Sequence, residues 1–457
     1  MTQRQDLAVT GGDVVLGGAL ARVNLGIRDG VISLISAGPI DAERTIDATG
    51  LTVMPGVIDE HFHVFWGYGW ETYENASRAA VKGGVTTVVD MPLDRPPTLT
   101  AAALRAKLAA IDGRCHVDYA SFGGYLAEDP GEMAAMAAEG AAAFKLFTGG
   151  VAPPGMYPGV DAGQALDALR RAAALGRTTT VHCEDAAVVD FETARLIAAG
   201  RRDPAAWDEA RPWYGELIAA RQIATLARVA GARVVIAHVS SPQTAAAIAQ
   251  ERRAGADVWV ETCHHYLCTS REAAGGDLRQ KWNPPTRDRA SVDALWQLLA
   301  EGHVHTVASD HAPLPKGSAT DIWDQAPGSG NGVEIFFPLF ATAAVHERGI
   351  PLTRVAELVA GTPARLFGLH PRKGVIAPGA DGDLAIVETA GRRTLDAGTL
   401  EYHEQERWSP FHGAPLRVYP VYTVLRGTVV YAEGEVTGRP GDGRRLAVAG
   451  GAAERSP

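Results

Sequence analysis

Cysteine is scarce in this chain. The four present in 457 residues (Cys115, Cys183, Cys263 and Cys268) have no spacing that would build a disulfide framework. That excludes a disulfide-stapled secreted fold and points to a reducing, cytoplasmic setting. Long apolar runs are missing too: no stretch of about 18 apolar residues could span a bilayer, and the opening Met1-Thr2-Gln3-Arg4-Gln5-Asp6 has no apolar signal core. Positive charge is in deficit, 43 basic against 53 acidic residues, with no basic block. Nucleic acid and anionic membrane are therefore poor partners. No Gly-x-Ser-x-Gly elbow occurs, and Ser309, Asp310 and His311 are sequence neighbours that cannot form a triad by spacing. The glycine-rich loop from Gly328 to Gly332 lacks the lysine and the following helix of a phosphate loop.

What is present is a long alternation of apolar segments and helix-like segments. At this length the expectation is one large α/β domain plus an accessory one. Residues 6–50 and 373–435 share a β-rich texture of short apolar runs and glycine turns, with Asp29-Gly30 a hairpin signal. The two ends are predicted to pack together as one small β-sandwich domain (1–54 plus 373–440) beside a core of 55–372. The Gly-, Ala- and Arg-rich stretch 441–457 is expected to be a disordered tail. Within the core, apolar strand segments start near 57, 85, 142, 178, 234, 258 and 305, separated by helical patterns. Apolar strands alternating with helices mean a parallel sheet, and this many units predict a TIM-like (β/α)₈ barrel.

The polar residues fall at the ends of these strands. His61 and His63 are two apart on an extended segment, so both side chains share a face. Lys145, His182, His238 and Asp310 sit at or near the ends of other strand segments. In a barrel the C-terminal strand ends converge on one mouth, and four imidazoles with a carboxylate there suit two divalent metals. Each histidine alone would also fit as an ordinary core residue; the recurrence at successive strand ends favours a metal centre. Lys145 is the odd member, because an ammonium beside two cations is repelled. Either carbon dioxide converts it to an anionic carbamate, or its head turns away to solvent. Spacing alone leaves both open.

As an ordered set, His61-Phe62-His63, Phe144-Lys145-Leu146-Phe147, Val181-His182-Cys183-Glu184, Ala237-His238-Val239-Ser240, Glu261 to Tyr266 and Ser309-Asp310-His311-Ala312-Pro313 resemble the cyclic amidohydrolases. That group comprises allantoinases, dihydropyrimidinases or hydantoinases, and dihydroorotases. The resemblance runs from about residue 50 to 430. It implies a barrel with a β-sandwich from both termini, a homodimer or homotetramer, and a dinuclear centre, usually zinc, with an N6-carboxylated lysine. Carried over by position, it implies that His61, His63 and Asp310 hold one metal, that His182 and His238 hold the other, and that carboxylated Lys145 bridges them. The implied reaction is hydrolytic opening of a small cyclic amide or ureide by a hydroxide shared between the metals, with Asp310 as general base.

The substrate is less sharply marked. No arginine follows His63 at the place where dihydroorotases grip their substrate carboxylate, although Lys281-Trp282-Asn283-Pro284-Pro285 resembles that branch. Hydantoinases usually place a tyrosine five residues after the bridging lysine; position 150 is Gly, leaving Tyr157 to reach in if any does. The Gly330–Glu334 segment resembles the substrate-contacting segment of dihydropyrimidinases. The segments Glu74–Leu93, Pro96-Pro97-Thr98 and Trp408–Gly413 resemble allantoinases, and allantoin is the preferred expectation, hydantoin or a dihydropyrimidine the alternative. Asn283, Asn331, His265 and Trp66 are the candidate substrate contacts. The loop aromatics Phe65, Trp66, Tyr68 and Trp70 could line a pocket for a flat ring or pack as a lid. His311 is read as a neighbour supporting Asp310, and Arg287 with Asp288 as a structural ion pair.

Overall fold

The computed structural model describes residues 3–129, 131–149, 156–315, 321–323, 330–402 and 407–448. Eight strands form one parallel sheet in sequence order: β1 (Val57–Phe62), β2 (Val85–Asp90), β3 (Asp118–Gly123), β4 (Ala143–Phe147), β5 (Thr178–His182), β6 (Val234–Ile236), β7 (Val258–Cys263) and β8 (Thr306–Ala308). Sequential order in a parallel sheet curls it round, and the ends meet where the His63 N–H donates to the His311 carbonyl at 2.8 Å and Phe62 bridges His311. The result is a nearly closed barrel with helices between its strands, as the alternation predicts. Every residue of β1 through β6 is buried, the pattern of strands covered on both faces. The surrounding helices begin at readable caps. Thr72 accepts from the Asn75 N–H to start Tyr73–Lys82, and Asp161 and Gln164 form a reciprocal capping box at Ala162–Ala174.

β3 is absent from the apolar segments picked out in the sequence. Its residues, Asp-Tyr-Ala-Ser-Phe-Gly, contain no aliphatic run, and only their place between β2 and β4 makes them a strand.

Strands from both ends of the chain share a seven-stranded sheet. The join is antiparallel pairing of Thr52–Pro55 with Leu384–Glu388, flanked by Asp13–Leu16 and Ala19–Arg22 on one side and by Tyr419–Leu425, Thr428–Ala432 and Glu435–Val436 on the other. A four-stranded sheet (Gln5–Thr10, Asn24–Arg28, Val31–Ser36, Ala42–Asp47) completes this part. Asp29 (φ 53°) and Gly30 (φ 81°) both take the left-handed conformation in the hairpin between Arg28 and Val31, as a two-residue primed turn requires.

The expected disorder from Gly441 onward does not hold for 441–448; residues 449–457 lie outside those described. Gly441 and Gly443 donate to the Cys115 carbonyl (3.0 and 2.9 Å), Arg444 accepts from the Tyr119 N–H, and Leu446 donates back to Tyr119 at 2.8 Å with its side chain buried. The glycine that reads as flexibility is a close approach: a Cβ on Gly443 would lie 1.9 Å from the Val117 carbonyl oxygen.

A buried ion cluster fastens the two parts. The Lys373 ammonium contacts Asp118 of β3 (2.5 Å), Asp381 (2.8 Å) and Asp383 (2.6 Å), and Arg426 adds a second cation on Asp118.

Candidate metal centre

The six residues singled out at the strand ends meet at one mouth of the barrel. His61 lies in β1 and His63 just beyond it, Lys145 in β4, His182 at the end of β5, and His238 and Asp310 two residues past β6 and β8. The ligand atoms of His61, His63 and Asp310 lie within 4.8 Å of one another. Asp310 Oδ1 is 3.3 Å from His61 Nε2 and 3.5 Å from His63 Nε2. On the other side, His182 Nδ1 faces His238 Nε2 at 2.9 Å. Lys145 stands beside both groups, its Nζ 3.4 Å from His61 Nε2, while the His61 and His238 rings are 5.2 Å apart.

Two carboxylates fix how the rings present themselves. Glu261 Oε1 accepts from His61 Nδ1 (2.7 Å) and from the His238 backbone N–H (2.9 Å), so one oxygen ties the two groups together. Glu184 Oε2 takes His182 Nε2 at 2.7 Å and is itself held by the Arg211 guanidinium. With those nitrogens occupied as donors, His61 Nε2 and His182 Nδ1 keep their lone pairs for the cavity. That is the arrangement metal-ligating imidazoles use. Both glutamates sit inside the motifs read from sequence, yet nothing there assigns them a role. Arg211 has no local signal; a chain fold of 27 residues brings it to Glu184.

The electrostatics favour neutral imidazoles and an ionised aspartate. Burial draws His63 down to about 4 and lowers His182 and His238, leaving them unprotonated and able to ligate. Burial alone would raise Asp310, but the charge His61 and His63 carry when protonated, with a hydrogen bond from His63, outweighs it and holds the carboxyl well below its usual range. Burial draws Lys145 down to about 8, and among the described residues it forms no ion pair. Burial takes away part of the ammonium's stabilisation, which the Glu261 and Asp310 carboxylates partly restore, so the free amine that can take up carbon dioxide is reached near pH 8. His238 (φ 38°) and Asp310 (φ 46°) both adopt the left-handed backbone, a local cost of order 1–3 kcal/mol each that recurs at functional sites. Convergent lone pairs, an ionised carboxylate and a buried lysine without an ion pair among the described residues are a donor set suited to divalent metal.

Of the candidate substrate contacts, His265 lies against the centre, its ring nitrogen within 4.8 Å of an Asp310 oxygen. His265 is buried against Trp282, the rings stacked at 4.4 Å. Asn283 is half-buried, its Oδ1 without a hydrogen bond among the described residues, and Asn331 is half-buried, its carbonyl accepting from Tyr402. Trp66 is half-buried on the loop after β1, its backbone N–H on Asp94. Phe65, Tyr68 and Trp70 pack mainly on one another, and Phe65 stacks on the His63 ring at 4.9 Å, a lid cluster braced on a candidate ligand. The Tyr157 hydroxyl donates to the Lys145 carbonyl; Gly150 lies outside the described residues. His311 Nδ1 accepts from the Gly332 N–H at 3.1 Å, fixing the loop beside Asp310. Arg287 and Asp288 do not pair with each other. Arg287 binds Ser240 and the Arg211 carbonyl, and Asp288 caps the helix Arg289–Ala300. For Arg287 the neighbouring anion in sequence loses to buried partners supplied by the fold, Glu216 among them at 3.5 Å.

Comparison with known proteins agrees with this geometry. A family model described as "Amidohydrolase family" matches residues 52–430. An allantoinase of Solibacter usitatus (strain Ellin6076) is 37% identical over 450 residues, covering 95% of this chain and 96% of that protein. An L-hydantoinase of Paenarthrobacter aurescens is 33% identical over 450 residues, covering 96% and 97%. Among solved structures, the L-hydantoinase (dihydropyrimidinase) from Arthrobacter aurescens superposes with a TM-score of 0.93 at 32% identity, over 97% of this chain and 100% of that one. With the family model spanning most of its length and relatives matching it end to end, this chain belongs to the amidohydrolase family.

Proposed function

We propose that this protein hydrolyses the ring of a small cyclic ureide, with allantoin opened to allantoate as the first substrate, at a centre of two divalent metals, zinc in the first instance. The observation that carries the reading is the convergence of His61, His63 and Asp310 within 4.8 Å, beside the His182–His238 pair at 2.9 Å and a buried lysine with no ion pair among the described residues. His61, His63 and Asp310 would hold one metal and His182 and His238 the other, with Lys145 as an N6-carbamate between them. Bound metals supply a water acidified towards neutrality and an electrophile for the carbonyl.

The chain's own groups do the rest. Asp310, ionised at its place between the imidazoles, takes a proton at a carboxylate oxygen and returns it to the leaving ring nitrogen. Glu261 and Glu184 hold the imidazoles in the ligating tautomer. Asn283 and Asn331 offer amide groups to the ring's N–H and C=O, while His265 and Trp66 border it. The family resemblance also supports a homodimer or homotetramer, which sedimentation tests. The four free cysteines support a cytoplasmic location. Among the described residues no helix is long and apolar enough to cross a membrane.

Hydantoin or a dihydropyrimidine is the second reading, favoured by the 33% identity and the 0.93 TM-score to an L-hydantoinase. The experiment for the reaction class is chelation. Two metals per chain are expected, with ring opening lost on their removal and restored by zinc; ring opening by the metal-free protein overturns the proposal.

A further inference from the structure

A second convergence of ligand atoms adjoins the first. Cys263 at the end of β7, His265 two residues on, and Asp310 present a thiol, an imidazole nitrogen and a carboxylate oxygen within 4.8 Å of one another, all three side chains buried. Asp310 is common to both groups. Its Oδ1 faces His61 and His63, and a carboxylate has two oxygens with which to serve two ions. The His265 ring is held in place by the Trp282 indole stacked on it, interplanar angle 10°.

We propose that Cys263, His265 and Asp310 form a third metal position, selective for thiophilic divalent ions such as cadmium, cobalt or excess zinc, and that an ion bound there inhibits the enzyme by engaging Asp310.

The donor sets distinguish the positions. The six residues of the candidate centre offer nitrogen and oxygen only, whereas this one adds sulfur, and thiolate favours softer ions. Three protein ligands and an open place is a familiar zinc arrangement. Bonds of roughly 2.0–2.3 Å set tetrahedral ligand atoms about 3.3–3.8 Å apart, so side-chain shifts of about 1 Å close the site. Without metal, burial beside Asp310 and Glu261 keeps the Cys263 thiol protonated; coordination displaces that proton to solvent, one per ion bound. Glu261 contributes negative charge to the same space, being near enough to raise the thiol. Only the inhibition rests on the reading of Asp310 as base; the binding position stands on its own geometry.

The test is a cobalt titration of protein already holding two equivalents of metal. A thiolate-to-cobalt charge-transfer absorption is expected to grow with the third equivalent and to vanish in Cys263→Ser, which separates this thiol from the other three cysteines. Cadmium is expected to inhibit wild type at concentrations at least tenfold below those needed for Cys263→Ser, each measured against its own uninhibited rate. Should Cys263→Ser fail to fold, His265→Gln is the second variant, expected to need at least tenfold more cobalt for the same absorption. No uptake of a third equivalent, uptake without the absorption, or an absorption undiminished in the variants overturns the proposal. The absorption is read without turnover, so the third position is tested even in a protein that opens none of the candidate rings.

Discussion

Lys145 is the residue on which the physics of the site presses hardest. A fully buried amine whose Nζ lies 3.4 Å from His61 Nε2 is drawn down to about 8, which brings its free form within reach of ordinary pH. Carbamate formation needs the free amine, whose share rises as the pH passes upward through the pKa. Reconstitution of metal-free protein with zinc at a fixed concentration of dissolved carbon dioxide should therefore be faster at about pH 8 and above than well below it, followed as recovered metal content. Lys145→Ala should lose metal, and short carboxylic acids should partly restore activity by standing in for the missing oxygens; retention of two metals by this variant would rule out the carbamate. Asp310→Asn keeps an oxygen ligand but no longer accepts a proton. It should retain substantial metal while turnover falls by about 10²-fold or more, a split between metal analysis and rate that a merely structural residue would not give.

At the scale of elements, the strands and their terminal residues were readable wherever an aliphatic run ended in a ligand-type side chain. β6 is the plainest case; β5 (Thr-Thr-Thr-Val-His) was readable from β-branched residues and β4 with Lys145 at its middle, and the structure brings His61, His63, Lys145, His182 and His238 to one mouth. The elements that escaped lack that form. β3 contains no aliphatic run, and Arg211 reaches Glu184 only through the fold. The return of 441–448 was hidden because glycine and arginine, read by composition, describe flexibility. In place, Gly443 permits a backbone contact that any Cβ would block, and Arg426 reaches the Asp442 carbonyl. Leu446, 1% exposed, anchors this segment beside β3. Leu446→Ala should cost about 2–5 kcal/mol in denaturant unfolding; a change within about 0.5 kcal/mol would mean the segment is not packed as described.

For the whole molecule, barrel and β-rich part meet through Lys373, whose three carboxylate partners come from both sides of the junction. Lys373→Met leaves Asp118, Asp381 and Asp383 buried with Arg426 as the remaining cation on Asp118. A loss of about 3–5 kcal/mol is expected, read as a lower denaturation midpoint; an unchanged midpoint would mean the ion cluster does not join the two parts. Catalysis is assigned to the mouth of the barrel, and its most direct measurement is a ring-opening assay of the zinc-loaded protein against allantoin, hydantoin, dihydrouracil and dihydroorotate, each with a chelated control. Zinc-dependent opening with allantoin turned over preferentially is the predicted result; protein carrying two metals that opened none of the four rings would contradict it.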